Sequence, residues 1–503
     1  MKKFLILFLA GLFVLSGCTH PQTQQATPTE TTAETQPATT VTGDAAVADT
    51  PVDITEFSVG YSSRIVNPDE PLPLSGYGNV ETRYLKEIMG DIKIFVLAMS
   101  DGEGNDILWI NTDLIQISAK YGELMQQMIH TETGVPVERI YISGNHSHSA
   151  PTFGSENERV VRYQEKFYNA IVEVSVEAMA DRKPASLETG SVETENLNFV
   201  KHYQYVDENG ETQYFGDNFG TAVYNDTTTH TTEADTTMHL LRITRDGCKD
   251  IVVANWRAHP HFTGGSSKYV LSSDYPGFFR EAVEKQLGVD CIFMQGACGN
   301  INSSTRLAEE RRTTDVRTFG KLLADYAIEG LTNNMTPIET GTIQTTQYEY
   351  WGEINHTFDD LYVQAKTVTS VWAQTNSWDE CRPYMTPFGI RSPYHANAIV
   401  ANYSRTTEKD GKLIMNAVSI GDDFAFVTFP GELFDAISVG VEEGSPFATT
   451  MLIGYSNGHI GYLPSAYAFE YTSYETDITR FAAGTGEIVR DQYIAMLNAF
   501  KEG

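Results

Sequence analysis

Positive charge is scarce in this sequence: 503 residues carry 35 Lys and Arg against 66 Asp and Glu, a net charge of −31 with a pI near 4.7. Such a surface repels phosphate and excludes nucleic acid as a partner. Long apolar runs are also wanting. The N-terminal run Phe4 to Val14 is too short for a membrane span. Cysteine is rare, five in all, and no pair has the CxxC spacing of a thiolate metal site. No internal repeat recurs. What remains is ordinary globular material: a hydrophobic fraction of 41% supports a sizeable core. The length permits several domains or one large α/β domain with insertions.

The N-terminus reads as a targeting segment. Lys2 and Lys3 precede the apolar run, which ends in Leu15-Ser16-Gly17-Cys18, similar to a bacterial lipobox. The expectation is a lipoprotein signal peptide over residues 1–18, lipidation at Cys18, and a mature protein exported and anchored by its lipid to a cell-envelope membrane, facing outward. Residues 19–52, rich in Thr, Pro, Gln and Ala, read as a disordered stalk. The four cysteines beyond Cys18 are expected to be free or buried thiols.

From residue 53 onward the apolar pattern alternates between strand and helix periods. Strands are predicted at 92–99, 107–110, 139–143, 251–256, 291–294, 424–429 and 450–453. Helices are predicted at 121–131, 160–180, 277–287 and 318–332. This is the signature of an α/β fold, a layered mixed β-sheet flanked by helices. Residues 343–405 break the rhythm and read as an insertion.

Four of the predicted strands run directly into polar, turn-forming clusters. These are Gly144-Asn-His146-Ser-His148, Arg257-Ala-His259-Pro-His261, Pro430-Gly431-Glu432, and Gly454 through Tyr462. Ligand sites in α/β sheets form beyond the carboxyl ends of strands, so these clusters would converge if their strands are neighbours. Each His-x-His pair shares a face in an extended segment. Two imidazoles, a carboxylate and an open position make a common catalytic zinc set. Taken singly, each motif also has an ordinary reading: His-Pro-His as a backbone-capping turn, Pro-Gly-Glu as a strand-to-helix turn, Tyr462 as a half-buried core residue.

The ordered set resembles the catalytic domain of the neutral, non-lysosomal ceramidase family. The resemblance rests on Gly76-Tyr-Gly78, Asn145-His-Ser-His-Ser-Ala-Pro151, Asn255-Trp-Arg-Ala-His-Pro260, Ser272-Ser-Asp-Tyr-Pro-Gly277, Gln295-Gly-Ala-Cys-Gly-Asn-Ile301, Pro430-Gly-Glu432 and Gly454 through Glu475. It implies Zn2+ held by His146, His259, Glu432 and Tyr462. It implies His148 and Tyr474 beside the reacting carbonyl, with Lys201, Asn300 and Asn302 toward the substrate. The implied reaction is hydrolysis of the amide of an N-acyl substrate, ceramide or a ceramide-like lipid or other small amide.

The sequence departs from the family in three places. Where the family has a serine proposed as nucleophile, this chain has Asn302, followed by Ser303 and Ser304. That leaves metal-activated water as the simpler nucleophile. Lys201 stands nearest the position of an expected arginine. The resemblance covers the family's catalytic domain, without its C-terminal β-sandwich. The competing readings are a zinc hydrolase of the same fold acting on a different small ester or amide, and a surface lipoprotein that binds ligand without catalysis. Retention of all four metal positions disfavours the second.

Overall fold

Between Lys93 and Ser100 alternate residues enter different cores. Ile94, Val96 and Ala98 pack to one side and Phe95, Leu97 and Met99 to the other. A strand buried on both faces reads as a continuous apolar run, and most of the central strands do. The computed structural model describes residues 55–502 except 78–81, 217–223, 266–267, 306 and 308–312. The residues read as signal peptide, lipidated Cys18 and stalk, and Gly78, therefore lie outside the described residues.

The main sheet contains β1 (Ser58–Ile65), β2 (Lys93–Ser100), β3 (Ile107–Thr112), β4 (Ile140–Gly144), β5 (Lys183–Glu193), β6 (Thr237–Arg245), β7 (Ile251–Trp256), β8 (Asp290–Gln295) and β9 (Thr336–Ile338). Its order is β8-β7-β6-β5-β1-β2-β3-β4, with β9 on β5. The pairs β3–β4 and β7–β8 are parallel and the other pairs antiparallel. A second sheet runs β10 (Ile343–Trp351), β11 (Lys412–Ile420), β12 (Phe424–Thr428), β13 (Thr449–Ile453), with β12–β13 parallel.

The two sheets pack face to face. Trp109 of β3 stacks on Phe426 of β12 with ring centroids 4.3 Å apart. Helices α1 (Ala119–Thr133) and α2 (Glu158–Ala180) cover one half of the main sheet's outer face. Helices α3 (Asp274–Leu287) and α4 (Val316–Asn333) cover the other half. The outer face of the second sheet buries against α8 (Asp435–Gly444) and α10 (Thr485–Glu502). The result is helix, sheet, sheet, helix: an α/β fold with a mixed sheet flanked by helices.

The stretch 343–405 contains two different things. β10 is a full member of the second sheet. The helices α5 (Tyr362–Thr375), α6 (Trp378–Met385) and α7 (Pro393–Tyr403) form a cap around a small core of their own, including Val368, Cys381, Met385 and Ile399. Between this cap and α10 lies the short helix α9 (Tyr474–Ile478). The four described cysteines are free, and all but Cys248 are buried. No helix among the described residues is long and apolar enough to cross a membrane.

Candidate metal centre

β4 and β7 are not hydrogen-bonded neighbours; they stand near opposite ends of the main sheet. The segment that follows β13 brings them together. The Gly454 N–H donates to the carbonyl of Gln295, at the end of β8, at 2.9 Å. The Gly144 N–H, at the end of β4, donates to the carbonyl of Tyr455 at 3.2 Å. Asn457 then extends the ladder of β4: its N–H donates to the Ile142 carbonyl at 2.8 Å, and its side-chain oxygen accepts from the Ile142 N–H at 2.8 Å. The polar clusters after β4, β7, β12 and β13 therefore meet, through a loop and not through strand adjacency.

His146 sits at the turn after β4 with φ of 61°, a left-handed conformation costly for a side chain of this size. The preceding residue is braced: the Asn145 amide donates to Asp113 at 2.8 Å, and Asp113 is clamped by both terminal nitrogens of Arg280 from α3 at 2.8 and 2.7 Å. The Ser272–Gly277 segment holds the other histidine loop. The Tyr275 hydroxyl donates to the Ala258 carbonyl at 2.7 Å, and Asp274 accepts from the Thr263 N–H and hydroxyl at 2.8 and 2.7 Å. Its role is thus to support the histidines. Gly76, at φ 103°, lies against His148; a Cβ there would approach the His148 Cα to 2.6 Å.

The ring nitrogens are oriented by the backbone. His146 Nδ1 lies 3.0 Å from the Ile115 carbonyl oxygen, and His259 Nδ1 lies 3.0 Å from that of Ile301. A carbonyl only accepts, so each Nδ1 carries the proton and each Nε2 presents a bare lone pair. Both lone pairs face the same oxygen, Glu432 Oε2, at 3.5 and 3.2 Å. Burial, the Lys201 charge and His146 push His259 down to about 4 despite Glu432 beside it, so its ring is neutral at pH 7. Neutral imidazole acceptors converging on a carboxylate repel one another unless a cation lies among them. On this ground the donor set fits a metal ion, and the borderline N and O donors suit Zn2+.

His148 completes a group with His146 and His259 whose donor atoms lie within 4.8 Å of one another, a group that could hold a metal ion. Its Nε2 is 3.1 Å from His146 Nε2. Unlike the other two, its Nδ1 is buried with no hydrogen-bond partner among the described residues, so none of them fixes its tautomer as a ligand's is usually fixed. Tyr462 lies directly beside Glu432 in a short parallel ladder (Glu432–Leu433 with Tyr462–Leu463). Burial and the neighbouring Glu432 raise its phenol well above the usual value. At Gly299 a Cβ would come within 2.6 Å of the Glu432 carbonyl oxygen, so only glycine lets the 295–301 loop pass this close.

These groups line a cavity of about 610 Å³ together with Tyr77, Gln116, Lys201, His261, Asn302, Tyr394, His459 and Tyr474. Lys201 is not a free cation in it. Its ammonium pairs with Glu475 at 2.8 Å and sits 5.3 Å from the centre of the Tyr462 ring. The other Glu475 oxygen meets His202 at 2.8 Å. Asn300, expected toward the substrate, is instead turned inward. Its amide donates to Asp435 at 2.6 Å, its side-chain oxygen accepts from the Asp435 N–H at 3.0 Å, and it is fully buried behind the cavity wall. A short polar side chain in a Gly-Asn turn is as suited to bracing a loop as to touching ligand, and sequence does not separate the two. Ser303 and Ser304 do not line the cavity. His459 and Tyr394 do, unforeseen. His459 sits in the Gly454–Tyr462 cluster with its Nε2 3.8 Å from Glu432 Oε1, and Tyr394 arrives from the cap, far away in sequence.

No protein-family model and no curated protein matches the sequence. Solved structures do match. The neutral ceramidase from Pseudomonas aeruginosa superposes with a TM-score of 0.65 at 15% identity, covering 89% of this chain and 75% of that one. A ceramidase complexed with C2 superposes with a TM-score of 0.63 at 16% identity, covering 89% and 76%. The layered α/β architecture described above is therefore the neutral-ceramidase fold.

Proposed function

We propose that this protein is a zinc-dependent hydrolase that cleaves the amide bond of an N-acyl substrate, a ceramide-like lipid or related small amide. The observation that carries the reading is the pair of bare Nε2 atoms of His146 and His259 facing the Glu432 carboxylate at the wall of a cavity. These three, with Tyr462, would hold the ion. When bound, zinc supplies a Lewis acid for the scissile carbonyl and lowers the pKa of water.

The remaining work falls to this chain's own groups. His148, partly exposed into the cavity and free of a fixed tautomer, can hold or release a proton at Nε2. Burial raises the Tyr474 phenol, so it stays protonated and serves as a donor to an oxyanion. Lys201, kept in place by Glu475, presents ammonium N–H donors on the same wall. With no serine among the described residues lining the cavity, water is the nucleophile in this reading. Its addition across the C–N bond yields a carboxylic acid and an amine.

Elemental analysis of the purified protein, followed by assay against a short-chain N-acyl sphingoid base, N-acyl amino acids and phosphate esters, tests the reading. One zinc per chain and turnover of an amide are expected. Full activity without metal, or turnover of phosphate esters alone, overturns it. The lipobox-like N-terminus further supports an exported protein anchored at Cys18. In that case Cys18→Ala shifts it from the membrane to the soluble fraction.

A further inference from the structure

A second cavity, of about 850 Å³, opens on the far side of Tyr474, which lines both. It lies where the cap meets the hairpin of strands His202–Val206 and Thr212–Gly216 and the start of α9. A file of aromatic rings joins it to the metal centre. Tyr462 meets Tyr474 at 5.9 Å, Tyr474 meets Tyr394 at 6.1 Å, and Tyr394 meets Trp378 at 6.5 Å between ring centroids. Tyr474 is common to both walls, so an arm leaving an amide at the metal centre would pass Tyr474 to enter the second cavity.

The wall of this cleft decides what kind of arm. Its aliphatic members, Met385 and Ile390, are each only 3% exposed and offer almost no surface. What faces the opening is aromatic or polar: Tyr214, 46% exposed, with Phe215, Trp378 and Tyr474 as rings, Thr386 and Thr472 as hydroxyls, and the exposed Arg382 guanidinium 3.6 Å from Asp379. Arg391 is charge-compensated. Its Nε donates to both Asp477 oxygens at 2.8 Å, so the pair is an array of donors and acceptors with no net charge to attract an anion. An alkyl chain laid over this pair would remove its water and return no hydrogen bond. Aromatic faces interleaved with hydroxyls and paired charges instead match a ring that has apolar C–H faces and hydroxyl edges.

We propose that this cleft binds a polyhydroxylated, sugar-like arm of the amide substrate. The proposal rests on the amidase reading above for the placement of the amide, and names the chemistry of the part that extends from it. Trp378 and Tyr214 are the specificity-determining residues. They supply the ring faces, while the Arg391–Asp477 pair and the hydroxyls exchange hydrogen bonds with the arm.

Two measurements on the full chain test it. In the first, methyl β-glucoside and lactose are titrated into metal-free protein and intrinsic tryptophan fluorescence is followed. This readout needs no catalysis. A saturable quench is expected from wild type and is lost in Trp378→Phe. No quench in wild type, or the same quench in the variant, overturns the proposal whatever the enzyme's reaction. In the second, zinc-loaded protein is given amides that share one short acyl chain and carry a glycosylated arm, a bare hydroxyl arm or an alkyl arm. The expected order has the glycosylated amide at least tenfold above the alkyl one in kcat/KM. Tyr214→Ala, at an exposed position that does not threaten folding, reduces that margin. Preference for the alkyl arm makes the cleft an apolar channel and rejects the proposal. Sugar binding in the first measurement with no amide cleaved in the second would keep the cleft and reject the amidase.

Discussion

Glu432 is the residue on which the centre turns, since one of its oxygens is shared between two imidazoles. Glu432→Gln replaces an anionic donor with a neutral amide. It is expected to lower bound zinc and to reduce turnover on the order of 100-fold or more, with the circular dichroism spectrum unchanged; a zinc-replete, active variant would contradict this. Ser303→Ala with Ser304→Ala is expected to retain substantial turnover, because the Ser303 hydroxyl lies 3.5 Å from the His259 carbonyl oxygen and away from the cavity; a trapped acyl-serine would count against water. Glu442 gives a separate prediction on acid stability. Burial raises its pKa, but Arg257 and His239 more than offset this and bring it from an ordinary 4.5 down to about 2. Between those values the folded chain binds fewer protons than the unfolded one. Stability therefore is fully present above about pH 4.5 and falls as pH drops toward 2. Glu442→Gln should flatten that limb of a urea-denaturation series against pH. At this scale the clusters holding His146, His148, His259 and Glu432 stood out because each follows an apolar run, whereas Tyr462 came only with the family resemblance. Asn300 was misjudged and His459 missed, because a side chain's direction within a turn depends on loops that have no period.

At the scale of elements, α3 does more than cover the sheet. Its Arg280 reaches under the main sheet to Asp113, and both side chains are buried, at 4% and 0% exposed. Removing one partner of such a pair leaves an uncompensated charge, which typically costs about 3–5 kcal/mol. Asp113→Asn is expected to destabilise by roughly that amount in chemical denaturation. It should also weaken zinc binding, because the Asn145 amide that precedes His146 loses its carboxylate acceptor. Loss of stability with unchanged zinc affinity would separate the clamp from the site. The predicted strands at 92–99, 107–110, 251–256 and 450–453 match observed ones within a residue or two, because buried strands need unbroken apolar runs. β1, β5 and β6 escaped notice. Their outward positions alternate with Ser, Thr, Glu and Arg, which dilutes the pattern to that of a surface segment. The cap helices escaped for a similar reason: α5 buries only Ala365 and Val368.

For the molecule as a whole, layering was legible and connectivity was not. Strand–helix alternation implies an α/β stack, but nothing local says that β4 and β7 stand far apart in one sheet and are reunited by the loop after β13. The consequence is that the donors come from both sheets: His146 and His259 from the main one, Glu432 and Tyr462 from segments following the second. An ion bound there ties the two layers together and stabilises only the closed stack. Chelation is therefore expected to lower the unfolding midpoint of the entire chain in a single transition. The loss should be about 3 kcal/mol of apparent stability relative to a hundredfold excess of zinc over its Kd. A midpoint indifferent to chelator would refute the link between metal and fold. His259 and Glu432 are separated by 173 residues along the chain, and contacts of that span form late. Metal uptake should then follow assembly and not guide it. A chain cut short before Glu432 owns half the donors and would lose any competition for zinc, so under the proposed function fragments and misfolded copies would remain chemically silent, and hydrolysis would be licensed only to molecules whose two sheets have closed.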